Sequence, residues 1–167
     1  MILSNASPLI HLSKINKLVI LKSLFNEITI PKEVYDEVIT AGKEEKFLDA
    51  LKVEKAVKEG WIKVRDNKIN RDIKEFTTEI DSGEIALISL AINLKPQLML
   101  IDDASARTIA ESLGFNVKGT LYVLLKAYKK GLLKKDETKK IVNTLILSGF
   151  RISQEIYIRF LDELEKD

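Results

Sequence analysis

The apolar runs of this chain are short, and each stops at polar or turn-forming residues. Met1-Ile-Leu3 gives way to Ser4-Asn5. Ile28-Thr-Ile30 runs into Pro31 and a turn bearing Glu33, Asp36 and Glu37, and Leu98-Met-Leu-Ile101 runs into Asp102-Asp103. Short apolar runs bounded by turn signals read as buried strands. Longer helical patterns separate them, which implies βαβ units with right-handed crossovers and a parallel sheet. In such a sheet every strand ends at the same edge, and ligands bind there. Polar groups far apart in sequence then converge on one cleft.

Strands are expected at 1–5, 27–31, 61–65, 97–101 and 116–118, with Trp61-Ile-Lys-Val-Arg65 at an edge of the sheet. One or two short helices fill 8–24. Pro31 suits the first position of a helix reaching about Ile39. Lys43 to Glu59 reads as a single helix ended by Gly60, and Asp81-Ser-Gly-Glu84 opens a strongly apolar one to Leu94. Further helices are expected at 103–113, 120–130, 135–147 and 153–165. The architecture is an open three-layer α/β/α sandwich. It forms one domain over 1–167, with 135–167 as a C-terminal helical extension whose two helices have no strand between them.

A chain of 167 residues is long enough for one real core. It has no cysteine, which excludes a disulfide and a thiolate zinc site. A net charge of +2 gives no global sign of a polyanion binder. No apolar stretch approaches the ~20 residues that span a membrane, and no basic region precedes the first apolar run. A cytoplasmic protein is expected.

The acids are the candidates for chemistry. Asp102 and Asp103 precede a helix, where one Asp serves as a cap but two adjacent ones repel. Asp81 and Glu84 have the spacing of a capping box. Yet the helix they open is almost wholly apolar and deeply packed, so a carboxylate in its first turn would lie against the sheet edge and favour a cation. Glu33 and Glu37 share one helix face. Asn5 and Ser7 stand at the end of the first strand, before Pro8. Arg107 lies one turn after Asp103, as an ion-pair partner or a phosphate contact. His11, the only histidine, is flanked by Leu9, Ile10 and Leu12 and reads as a packed or capping residue. Clustered oxygen donors without His or Cys suit hard cations such as Mg²⁺ or Mn²⁺. Such ions hold phosphate oxygens and activate water, so phosphodiester hydrolysis is the leading chemistry. A small-molecule phosphoester hydrolase is a more distant reading.

Taken in order, these pieces over residues 1–130 resemble the PIN-domain family, the nuclease fold that includes VapC-type toxin ribonucleases. That family has an acid at the end of the first strand and Ser or Thr two residues on; Asn5 and Ser7 stand there. A Glu follows on the helix after the second strand, matched by Glu37 in Pro31-Lys-Glu-Val-Tyr-Asp-Glu-Val38. A third acid opens the next apolar helix, matched by Glu84. A fourth follows strand four, matched by Asp103, with Asp102 beside it. The whole chain is similar to an atypical subfamily carrying Ser-Asn-x-Ser-Pro-Leu, an Ile-Asp-Asp segment with Ala106-Arg107 soon after, Gly119-Thr120 before a helix, and a closing Gly-Phe-Arg-Ile-Ser at 149–153.

The resemblance implies a sheet order 3-2-1-4-5, Mg²⁺- or Mn²⁺-dependent RNA cleavage, and pairing with a small antitoxin. It assigns Asn5, Glu37, Glu84 and Asp103 to catalysis. Asn5, Glu84, Asp102 and Asp103 would hold metal, and Ser7, Arg107, Lys118 and Thr120 would contact RNA. Asn5 departs from the pattern, since an amide oxygen can ligate a metal but brings no charge. The alternative is therefore a catalytically weak PIN-fold module that binds RNA or protein. Lys118, Lys126, Lys129, Lys130, Lys134, Lys135, Lys139 and Lys140 crowd one segment and would guide an RNA backbone if they flank the cleft. A homodimer is expected through Ile141, Leu145, Ile156, Phe160 and Leu164 on the last two helices.

Overall fold

The structure, a computed structural model, describes residues 1–69, 73 and 80–166. Its strands are β1 (Ile2–Ser4), β2 (Ile28–Pro31), β3 (Ile62–Arg65), β4 (Leu98–Leu100) and β5 (Val117–Lys118). They form one all-parallel sheet in the order β3-β2-β1-β4-β5, with Leu3 opposite Thr29 on one side and Met99 on the other. The order reverses between β1 and β4, which places the topological switch point between Asn5 and the Asp102–Asp103 pair. β3 is an edge strand, as its alternating pattern requires.

Side-chain alternation along the strands divides the interior into two cores. Ile2, Ile28, Ile30, Leu98 and Leu100 face one way. They meet α1 (Ala6–Lys14), α2 (Val19–Phe25), α5 (Leu48–Lys58), α8 (Thr120–Lys129), α9 (Lys135–Leu147) and α10 (Gln154–Glu165). Leu3, Met99, Ile101 and Val117 face the other way, onto α6 (Ser82–Leu94) and α7 (Ala104–Ser112). From Gly83 to Ala91 every residue of α6 is buried, which explains its near-continuous apolar sequence. Lys95 ends it in the left-handed region ahead of Pro96.

Two expectations need correction. The single helix expected over Lys43–Glu59 is split. After β2 the chain runs as α3 (Lys32–Tyr35), a π-helical segment Asp36–Ala41 and α4 (Gly42–Glu44), then breaks before α5. Lys46 adopts a left-handed conformation (φ 61°). The Phe47 amide donates to the Gly42 carbonyl and the Lys46 amide to that of Lys43, the paired bonds of a Schellman stop. The usual signal for such a stop is glycine, and here a lysine occupies the position. Gly42 permits the close approach, because a Cβ there would lie 2.9 Å from that of Ala50.

The second correction concerns the last two helices. Ile141, Leu145, Phe160 and Leu164 pack inside the first core together with α8, and only Ile156 of the expected dimer face is exposed. Those four side chains are satisfied within the chain, while Leu147, Ile156 and Ile158 remain exposed on the same two helices. Among the described residues no helix is long and apolar enough to cross a membrane.

Candidate active site

All strands end at one edge, so the residues that follow them gather there. Asn5 occupies the cap position of α1, where an Asn normally accepts a bond from the helix amides. It makes no such bond. Its amide instead donates to Glu84 Oε1 at 3.3 Å, and its Oδ1 is buried without a hydrogen-bond partner. An unpartnered buried acceptor is costly, so it points to a ligand.

Glu84 does two things at once. It completes the expected capping box, taking the Asp81 amide at 3.2 Å while Asp81 Oδ1 takes the Glu84 amide at 2.8 Å. Its other oxygen faces Asn5. The side chain is only 7% exposed. Burial, followed by the negative charge of Asp81, pushes its pKa up to about 7 despite the bonds from the Asp81 backbone and Asn5; Asp103 adds a further negative field.

Glu37 reaches the same place from the π-helical segment. Much of its side chain is exposed, but its carboxyl end is sunk against α6: a Cβ on Gly83 would meet Glu37 Oε2 at 2.9 Å and Asp81 Oδ1 at 3.3 Å. Desolvation of that end, then Asp81, raises its pKa to about 7. Asp81 is thus a member of the cluster that sequence reasoning treated only as a cap. Its signal was the same Asp-Ser-Gly-Glu segment, because a box that caps a buried helix must carry both acids to the sheet edge. Glu33 lies one turn earlier, with its Oε2 buried and unpartnered.

The two aspartates after β4 divide their work. Asp103 caps α7 through Oδ1, accepting the Ala106 amide at 2.9 Å, and remains exposed on the Glu84 side. Asp102 has both oxygens committed elsewhere. Oδ1 accepts the Thr120 amide at 2.7 Å, while Oδ2 accepts the Thr120 hydroxyl at 2.6 Å and lies 3.0 Å from His11 Nδ1. A Cβ on Gly119 would stand 2.7 Å from Asp102 Oδ1, so only glycine fits beside this strut. Thr120 is fully buried, and its hydroxyl serves Asp102. His11 is packed as expected, edge-on to Phe150 at 4.8 Å, but its bond to Asp102 carried no sequence signal.

The remaining expected contacts fall on both sides of this strut. Ser7 lies in the first turn of α1, half-buried. Arg107 and Lys118 flank Gly119, with Arg107 3.8 Å from Glu111 and Lys118 over the Tyr122 ring at 5.8 Å. The lysine run beyond them is largely engaged at home. Lys129 pairs with Glu163, Lys135 and Lys139 with Glu165, and Lys126 sits over the Phe25 and Tyr122 rings. It is not an open basic stripe.

Among the described residues no three His, Asp or Glu side chains stand together as a ready-made metal cage. The donor chemistry nonetheless fits a hard dication that keeps most of its waters, for which one or two carboxylates suffice. Asn5 Oδ1 lacks a partner, and Glu84 and Glu37 are carboxylates whose ionisation is suppressed by burial and by the negative charge of Asp81. A family model described as a PIN domain matches residues 1–166. No curated protein matches the chain significantly.

Proposed function

The chain belongs to the PIN-domain family, and on that premise we propose that it is a Mg²⁺- or Mn²⁺-dependent endoribonuclease, the toxin of a toxin–antitoxin pair acting in the cytoplasm. The observation that carries this reading is the Asn5 amide. It forgoes its helix cap, turns to Glu84 and leaves a buried oxygen unsatisfied at the switch point of the sheet.

Asn5 Oδ1, Glu84 and the free oxygen of Asp103 would hold the ion, with Asp102 behind them as a strut rather than a direct ligand. When bound, it would supply positive charge to the phosphate oxygens and lower the pKa of the attacking water. Glu37, whose carboxyl end is sunk beside Asp81 and Gly83, would serve as the proton acceptor of the site. Ser7 stands close enough in sequence to Asn5 to meet the RNA at the cleft, and Arg107 and Lys118 can bind neighbouring phosphates.

A second reading is supported by the same residue. Asn5 in place of an acid, and the absence of a three-acid cage among the described residues, favour a catalytically weak module that binds RNA or protein. A small antitoxin and a second copy of the chain are the protein partners implied. Phe47, Leu48 and Leu51, all exposed, offer an apolar surface for such contacts, in place of the buried residues of the last two helices.

Cleavage of mixed single-stranded RNA with Mn²⁺ or with EDTA separates the readings. Asn5→Asp adds a carboxylate to the site, so it should tighten Mn²⁺ binding and increase cleavage, while Asp103→Asn should do the reverse. In EDTA, Asn5→Asp should also melt at a lower temperature than wild type and recover on adding Mn²⁺. RNA left intact by both wild type and Asn5→Asp, with Mn²⁺ supplied, would refute the nuclease reading.

A further inference from the structure

A groove of about 630 Å³ is lined by Asp102 but not by Glu84, Glu37 or Asp103 of the acid cleft. One wall is α7 and the end of β5. The other is the segment entering α10. Arg107 and Lys118 come from the first wall, Arg151 and Arg159 from the second, with Thr108 and Ser153 as neutral donors. We propose that this groove is a second anion site that holds phosphates of single-stranded RNA next to the one in the acid cleft. The proposal rests on the nuclease reading for the identity of the polyanion, but the groove's charge stands by itself.

Position argues for it first. Asp102 lines the groove and is covalently joined to Asp103, which faces Glu84. The groove and the cleft are therefore neighbours along one sheet edge, and a linear polyanion crossing the cleft continues into the groove.

Charge argues for it second. Of the acids around the groove, Asp102 is bound by Thr120 and His11, Glu111 lies a loose 3.8 Å from Arg107, and Glu155 is an exposed i,i+4 partner of Arg159. Exposed pairs of that kind compete weakly with a polyanion. Arg151, in the segment before α10, and Lys118, at the end of β5, form no ion pair with any described residue, unlike Lys129, Lys135 and Lys139. The C-terminal extension thus contributes two arginines to the groove, Arg151 with no ion pair among the described residues and Arg159 with only the exposed Glu155 as partner.

The chemistry of the walls sets the mode of binding. The Tyr122 ring carries Lys118 and Lys126, Phe150 is buried against His11, and Leu121, Ile152 and Ile156 give the groove an aliphatic rather than an aromatic lining beside its cations. Contacts to phosphate from Arg and Lys, with hydroxyls beside them, then dominate. Binding should be strongly salt-dependent and tolerant of sequence. An acidic peptide is disfavoured by the groove's continuity with a cleft suited to phosphodiesters.

The test is fluorescence anisotropy of a short labelled single-stranded RNA in EDTA, where no cleavage occurs, over a series of salt concentrations. Arg151→Gln and Arg159→Gln are both on exposed side chains, and unchanged melting temperatures will verify their folds. Each should weaken binding by about 3- to 10-fold and reduce the salt slope by about one. Asp103→Asn should bind RNA in EDTA as well as wild type or better. Arginine variants with wild-type affinity and salt slope would overturn the proposal. So would a groove that binds a poly-glutamate peptide but not RNA, which would make it a protein-docking surface. RNA binding that is lost in the arginine variants, in a protein that never cleaves, would support the groove and overturn the nuclease reading alone.

Discussion

Glu84 carries two loads, and its titration follows from them. It is nearly buried, next to Asp81 and within the field of Asp103, with a pKa of about 7 against an ordinary 4.5. Between those values the native protein holds a proton that the unfolded chain has released. Stability from this group is therefore full below pH 4.5 and is lost as pH rises through 7. The effect is at most about 3 kcal/mol. Glu84→Gln keeps one oxygen for the Asp81 amide, loses the second acceptor that takes the Asn5 amide, and cannot ionise, so its stability curve should be flatter between pH 5 and 8 in EDTA, with Glu37 supplying any slope that remains. Equal slopes for the two proteins, from melting temperatures across that range, would show that Glu84 titrates normally. The residue scale is also where sequence reasoning reached its limit. That Asn5 and Asp103 would approach the opening of α6 at Glu84 was legible because strand ends in a parallel sheet must meet, whereas Glu37 was singled out only by the family resemblance. The division of labour between Asp102 and Asp103 was not legible, because it depends on Thr120 and His11 bonding across long stretches of chain.

Elements were legible where their boundaries are written in local chemistry. Gly60 and Gly114, the apolar run of α6 and the strand ends all fell close to where turn chemistry puts them. The helix expected over Lys43–Glu59 failed because its stop uses a lysine in the left-handed region, a conformation that costs a residue with a Cβ roughly 1 kcal/mol or more. That cost makes a prediction. Lys46 is exposed, and Lys46→Gly should stabilise the protein by about 0.5–1 kcal/mol, read as a higher urea midpoint with an unchanged m-value. A lower midpoint would mean that the Lys46 side chain contributes more than its strained backbone costs. The π-helical segment Asp36–Ala41 was equally invisible, since nothing in the sequence marks the extra residue in the turn. It matters because Glu37 approaches Gly83 and Asp81 from it.

For the whole molecule, the sheet order and its two cores follow from strand spacing and alternation, while the place of the C-terminal extension depends on which faces it covers. Read from sequence, α9 and α10 present apolar stripes with no strand of their own, and a second subunit is the natural cover. In the fold, Leu164 is fully buried and Phe160 nearly so, both in the cluster that holds Val123 and Leu124 of α8 and Ile141 of α9. Ion pairs from Lys129, Lys135 and Lys139 to Glu163 and Glu165 then orient α10 on that surface, adding little stability themselves because they are exposed. The extension should accordingly unfold with the sheet rather than before it. Leu164→Ala removes a fully buried side chain near the end of α10, where a helix that merely rested on the surface would tolerate truncation. It should cost about 2–4 kcal/mol and lower the single denaturation midpoint seen by both far-UV circular dichroism and Trp61 fluorescence, a probe on the other edge of the sheet. If the variant instead loses helix signal in a separate early transition while Trp61 keeps the wild-type midpoint, the extension is an independent unit. The groove that Arg151 and Arg159 share with Arg107 and Lys118 would then open and close on its own.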